Sequence, residues 1–215
     1  ARMPQTSRKD CVLLVEGRDD REVIRQFCNH HDIDNRTLFL IDPKDSVDQL
    51  LDDLRVRPKQ TGIKVLAAVI DADMDLTSRW AQICGAVERF GYALPGKPAK
   101  DGTILEPPDS NRPRLGLWLM PDNQLSGILE DFLLQLTDSE DSLISRAEHV
   151  VDQIPETDRR FGDTKRSKAI IHTWLAWQKE PGTPLGLSIT RQYLNPARSP
   201  ATAFKLWLEK LFVPS

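Results

Sequence analysis

Cysteine is scarce and unpatterned in this 215-residue chain: Cys11, Cys28 and Cys84 form no CxxC pair, and an odd count leaves at least one thiol unpaired within a monomer. Cys11 opens a strand-like run, while Cys28 and Cys84 fall on apolar helix faces. All three therefore read as buried thiols in a reducing, cytoplasmic compartment rather than as a disulfide framework. The four histidines, His30, His31, His149 and His172, are scattered and support no zinc site. No apolar run approaches the roughly 20 residues that span a bilayer. The opening ARMPQTSRKD is polar and lacks the apolar core of a signal peptide. Charge of one sign is missing too, since 29 Lys and Arg against 32 Asp and Glu leave a net charge of -3. That excludes a protein coating nucleic acid by charge alone. It leaves room for an enzyme acting on phosphodiesters, because bound divalent cations reverse the local field.

What is present is an alternation of short apolar runs and amphipathic segments. Val12 to Val15 read as a strand covered on both faces. DDREVIRQFCNHH then places Val23, Ile24, Phe27 and Cys28 on one helical face. RTLFLIDP supplies a second strand, Leu38 to Ile41. In DSVDQLLDDLRV, Val47, Leu50, Leu51 and Leu54 lie at helical spacing, with Asp45 or Ser46 as cap. IKVLAAVIDADMD is the most strand-like run. Trp80, Ile83, Cys84, Val87 and Phe90 align on the next helix, which Gly91 stops. Strand and helix alternating three times predict a parallel α/β sheet. Residues 92–114, rich in Pro and Gly, are expected to form an inserted loop or hairpin. Leu115 to Met120 make a fourth strand, and QLSGILEDFLLQL a helix with Leu125, Ile128, Leu129, Phe132 and Leu136 inward.

From about residue 138 the pattern is helical only. One short helix is expected around Ile189 to Leu194, and a last one is capped by Ser199 with Pro200 at its first position. The expected organisation is an α/β core at 8–137 and a helical extension at 138–215 packed on it. Trp174, Trp177 and Trp207 read as core residues, and the basic run Lys165, Arg166 and Lys168 as a solvated face.

Acids close the strands. Strands of one parallel sheet end at a common edge, where α/β proteins place their chemistry. Glu16 ends the first strand, followed by Gly17, which allows a close backbone approach. Asp71 and Asp73 end the third at a spacing of two, which in an extended chain aims both side chains the same way. Three converging carboxylates would repel one another unless some stay protonated or a cation sits between them. An all-oxygen set suits Mg²⁺ or Mn²⁺ rather than zinc.

VEGRDD followed by VIDADMD resembles the two signature motifs of the Toprim domain. That fold is shared by type IA and type II topoisomerases, bacterial primases, RNase M5 and the OLD-family nucleases. The resemblance covers roughly residues 10–135 and implies a Rossmann-like parallel sheet of about four strands flanked by helices. The whole chain, with GLWLMPDN, GILEDF and WLEKLF, is also similar to an uncharacterised bacterial family built on a Toprim core. The resemblance implies that Asp71 and Asp73 are metal ligands and that Glu16 handles a proton or a second metal. Asp20 and Asp75 would be supporting ligands, and Glu130 and Asp131 candidates for a second metal. Arg18, Arg21 and Arg79 are candidate phosphate holders, each also readable as an ordinary helix-face arginine.

Topoisomerases need a nucleophilic tyrosine, and Tyr92 and Tyr193 sit in no such context. Primases need a zinc-binding domain, and no Walker A sequence is present, so an ATPase of the OLD type would be a separate protein partner. The implied activity is Mg²⁺- or Mn²⁺-dependent hydrolysis of a DNA or RNA phosphodiester. The alternatives are a non-catalytic or partner-dependent binding module and a metal-dependent phosphatase or nucleotide hydrolase.

Overall fold

The computed structural model describes residues 8–214, so most of the polar opening segment lies outside the described residues. Thirteen elements follow in chain order: β1 (Cys11–Val15), α1 (Arg18–His30), β2 (Leu40–Pro43), α2 (Val47–Val56), β3 (Val65–Asp71), α3 (Leu76–Val87), β4 (Thr103–Leu105), β5 (Arg114–Met120), α4 (Leu129–Leu134), α5 (Ser142–Asp152), α6 (Arg166–Ala176), α7 (Leu187–Thr190) and α8 (Ala201–Phe212), with short 3₁₀ turns between some of them. The sheet order is β2-β1-β3-β5-β4. The first four strands in that order are parallel, and β4 runs antiparallel to β5. The result is a Rossmann-like α/β fold with five strands rather than about four, because the 92–114 stretch contributes the edge strand β4.

The unbroken apolar runs follow from burial on both faces. Along β1, Cys11, Leu13 and Val15 join one hydrophobic cluster, and Val12 and Leu14 the other. β3 and β5 divide likewise: Ala67, Val69, Trp118 and Met120 face one side, and Leu66, Ala68, Ile70, Leu117 and Leu119 the opposite side. α2 and α3 cover the second face through Leu50, Leu54, Trp80, Ile83 and Val87. The first face is covered by α1 together with α4 to α8. The C-terminal helices therefore complete the core of the sheet. Phe204 and Trp207 of α8 pack around Trp118, with ring centroids 5.0 and 5.7 Å away. Burial of each such side chain contributes about 1.5–3 kcal/mol.

Several boundaries differ from the sequence reading for local reasons. β2 starts at Leu40, two residues later than expected, because the backbone N–H groups of Thr37 and Leu38 are held by the Asp34 carbonyl in a turn. The predicted 13-residue helix after β5 shrinks to α4. Asp122 accepts the N–H groups of Gln124 and Leu125 at 3.0 and 2.9 Å, and Gly127 adopts a φ of 151°, so the chain is a loop until Ile128. Leu125 consequently points outward, 57% exposed. α8 begins at Ala201, with Pro200 rather than Ser199 at the N-cap position. The short helix expected around 189–194 lies at Leu187–Thr190. Trp177 follows the end of α6 and is 40% exposed, whereas Trp174 and Trp207 are buried as expected. Cys84 is only half-buried. Ser46, not Asp45, caps α2, accepting the Gln49 N–H at 3.3 Å. Among the described residues no helix is long and apolar enough to cross a membrane.

Candidate functional site

The chain leaves β1 toward β2 on one side and β3 toward β5 on the other, so a crevice opens between the C-terminal ends of β1 and β3. Glu16 stands at the end of β1 and Asp71 at the end of β3. Glu16 Oε1 accepts the backbone N–H of Asp71 at 2.9 Å. Asp71 Oδ1 in turn accepts the N–H of Leu129 at 2.9 Å, which ties the start of α4 to the sheet edge. This brings Glu130, buried at 4% exposure, to the same place. Gly17 leaves β1 in extended conformation, and a Cβ there would lie 3.2 Å from Asp20 Oδ2. The absent side chain lets Asp20, in the first turn of α1, fold back over the crevice.

Glu16, Asp20, Asp71 and Glu130 thus line one cleft of about 360 Å³, with Arg18, Asp19, Asp45, Ser46, Lys165 and Lys168 on its other walls. Burial pushes the Glu16 carboxyl from an ordinary 4.5 up to about 7; the Asp71 N–H pulls against this, and Asp20 adds to it. Burial likewise raises Asp20 to about 6, with Glu130 adding repulsion. Asp71 is held well above the usual carboxylate range by burial first, then by the charges of Glu16, Asp20 and Glu130. Lys168 Nζ lies 3.1 Å from Glu130 Oε1 and 3.7 Å from Asp19 Oδ2. Burial alone would depress this ammonium, yet Glu130 and the neighbouring acids leave its pKa raised.

The other acids singled out in the sequence go elsewhere. β3 ends at Asp71, and Asp73 takes a φ of 52°, so the spacing of two no longer aims both side chains alike. Asp73 donates its N–H to the Gly127 carbonyl at 2.8 Å and pairs through its carboxylate with Arg79. Asp73 and Asp131 line a second pocket of about 260 Å³ with Asp163 and Ser167. Asp131 is engaged there, accepting the Ile128 N–H at 2.8 Å and the Ser167 hydroxyl. Asp75 is the N-cap of α3, accepting the N–H groups of Thr77 and Ser78 at 2.9 and 3.1 Å, and lines neither pocket. Of the arginines, Arg18 lines the carboxylate cleft, Arg79 is occupied by Asp73, and Arg21 faces a separate pocket beside Arg25.

The sequence alone places Lys165 and Lys168 on a solvated face. Their spacing of three at the start of an amphipathic helix puts them on one side of it, but only packing of α6 beside α4 turns that side toward the acids. Among the described residues no three Asp, Glu, His or Cys side chains are disposed to ligate one ion directly. The donor set nevertheless fits Mg²⁺ or Mn²⁺, ions held through one or two carboxylates while keeping several waters. Burial first, and then repulsion among the neighbouring acids, raises Glu16, Asp20 and Asp71, and a divalent cation held among them would offset both.

No curated protein and no solved structure matches the chain. A family model described as "Protein of unknown function (DUF3226)" matches residues 10–213, nearly the whole length. The chain therefore belongs to the DUF3226 family.

Proposed function

We propose that the protein is a Toprim-type hydrolase that uses Mg²⁺ or Mn²⁺ to cleave a phosphodiester of DNA or RNA. The observation that carries this reading is the convergence of Glu16, Asp20, Asp71 and Glu130 in one cleft that Lys165, Lys168 and Arg18 also line. Acids alone would repel a phosphate, and lysines alone would hold it without activating water. Asp71, with Asp20 beside it, is the group that would hold the metal. When bound, the metal polarises a phosphoryl oxygen and lowers the pKa of an attacking water. Glu16 Oε1 is engaged by the Asp71 N–H, which leaves Oε2 to take the proton from that water. Lys165, Lys168 and Arg18 offer cationic donors to the non-bridging phosphoryl oxygens.

The test is hydrolysis of single- and double-stranded DNA and RNA with Mg²⁺ or Mn²⁺, with Asp71→Asn alongside. Metal-dependent cleavage that vanishes in the variant supports the reading. Cleavage and metal binding left intact by Asp71→Asn overturn it.

One observation favours a second reading, a non-catalytic binding module. Asp73 is occupied by Arg79 and Asp75 by the α3 N-terminus, so only Asp71 of the DxDxD run faces the cleft. Absence of metal affinity at millimolar Mn²⁺ is the outcome that selects this reading.

A further inference from the structure

A third cavity lies away from the carboxylate cleft, between α1 and the edge strand β2. It has a volume of about 340 Å³ and is lined by Arg21, Arg25, Asn35, Leu40 and Ile41. Asn35 belongs to the turn that leads from α1 to β2 and is only 4% exposed. Its Nδ2 is buried without a hydrogen-bond partner among the described residues. A buried amide donor left unpaired costs about 1–3 kcal/mol, and such groups in native folds ordinarily meet a partner. Both arginines stand four residues apart on one face of α1. Glu22 lies between them, taking the Arg21 Nε–H at 3.1 Å and sitting 3.4 Å from Arg25 Nη1. It neutralises one of the two charges and orients both guanidinium groups, leaving a net positive charge and unused N–H donors. Two guanidinium groups and an unpaired buried amide N–H, with a net positive charge, favour an oxyanion over a cation or an apolar ligand.

We propose that Arg21, Arg25 and Asn35 form a binding site for a phosphoryl oxyanion, separate from the carboxylate cleft. Asn35 supplies the buried donor and the arginines the charge and the fork geometry suited to phosphate. The phosphoryl group has two sources, a polynucleotide backbone or free phosphate. Arg18, which lines the carboxylate cleft, precedes Arg25 by seven residues, roughly 10 Å along the helix axis. A strand seated in the cleft would follow α1 to the second site. That choice of source, unlike the anion site itself, rests on the proposed hydrolase reading.

The experiment is a nitrogen-15 NMR titration of the full chain with inorganic phosphate and, separately, with a single-stranded oligothymidylate. The expected result is movement of the Asn35 side-chain NH₂ resonances with at least one probe. Arg25→Gln should weaken that binding about tenfold, the loss of one charge-assisted contact, with the backbone spectrum elsewhere unchanged. Arg21→Gln provides a second, independent variant. An Asn35 amide that stays still with both probes overturns the proposal, and so do variants that titrate like the wild type. Saturation by the oligonucleotide far below the phosphate concentration identifies a strand; equal behaviour per phosphate group identifies a free anion. Hydrolysis is not read in this titration, so a failure here is distinct from failure of the hydrolase reading.

Discussion

The Glu16 carboxylate accepts the backbone N–H of Asp71 across a 2.9 Å hydrogen bond, joining two residues 55 positions apart in the chain. One side chain therefore both closes the edge between β1 and β3 and presents its second oxygen to the cleft. Glu16→Gln keeps an acceptor for the Asp71 N–H, whereas Glu16→Ala removes it. The Gln variant should fold like the wild type but lose about 10²-fold or more of metal-dependent hydrolysis. The Ala variant should lose about 1–2 kcal/mol of stability as well. Turnover and thermal melts run in parallel separate the two effects, and a Gln variant with full turnover removes Glu16 from the chemistry.

Stability without metal should fall as pH rises from about 4.5 to about 7. Burial lifts Glu16 from an ordinary 4.5 to about 7 in the folded state, and Asp20 from 3.8 to about 6. The folded state thus binds more protons than the unfolded chain across this window. The stabilising contribution is complete below the unfolded values and is lost as pH passes the folded ones. The slope is about 1 kcal/mol per pH unit for each such proton. His31, whose pKa burial lowers from 6.5, acts in the opposite direction just below that value, within the same window. The difference between wild type and Glu16→Gln isolates the carboxylate contribution. Adding Mn²⁺ above pH 7 should raise Tm, because the cation replaces the protons.

Lys168 holds Glu130, whose side chain is 6% exposed, at 3.1 Å. Lys168→Met keeps the aliphatic stem but leaves a buried carboxylate without its cation. A loss of about 1–3 kcal/mol in urea unfolding is expected. The double variant Lys168→Met/Glu130→Gln should recover most of it, and a double variant no more stable than the single would show that the pair is not coupled.

Asp71 and Asp75 belong to one DxDxD run yet have different partners. Asp71→Asn should abolish metal affinity measured by calorimetry and change Tm little or raise it, since a repelled buried acid is removed. Asp75→Ala should leave metal affinity unchanged and lower Tm slightly through loss of the α3 cap. Equal metal affinity for both variants would contradict this division.

Gly116 in β5 faces α8. A Cβ there would lie 2.3 Å from Leu211 Cδ1 and 3.2 Å from Ala67 Cβ. Gly116→Ala should therefore destabilise by about 1–3 kcal/mol. Pairing it with Leu211→Ala, which opens the space, should give less than the sum of the two losses. Strict additivity would mean that α8 does not rest on this strand.

The α/β class was legible from the sequence because two-faced burial makes each inner strand a continuous apolar run, and Val12 to Val15 and Leu66 to Ile70 are such runs. Helices with one apolar face, such as α1 with Val23, Ile24, Phe27 and Cys28, were equally plain. The placement of Glu16 and Asp71 at strand ends followed from the same local pattern. What the sequence could not carry was direction and distance. Asp73 turns away because its backbone bonds to Gly127, a residue in another loop. Glu130 enters the cleft because the Leu129 N–H is captured by Asp71. Lys168 faces acids because α6 packs beside α4, and Asn35 is buried in the turn between α1 and β2. The inner strands and the amphipathic helices are written in local periodicity, which is set by burial along each segment. Which acids share a cleft and which cations face them is set by packing, since those contacts join residues far apart in the chain.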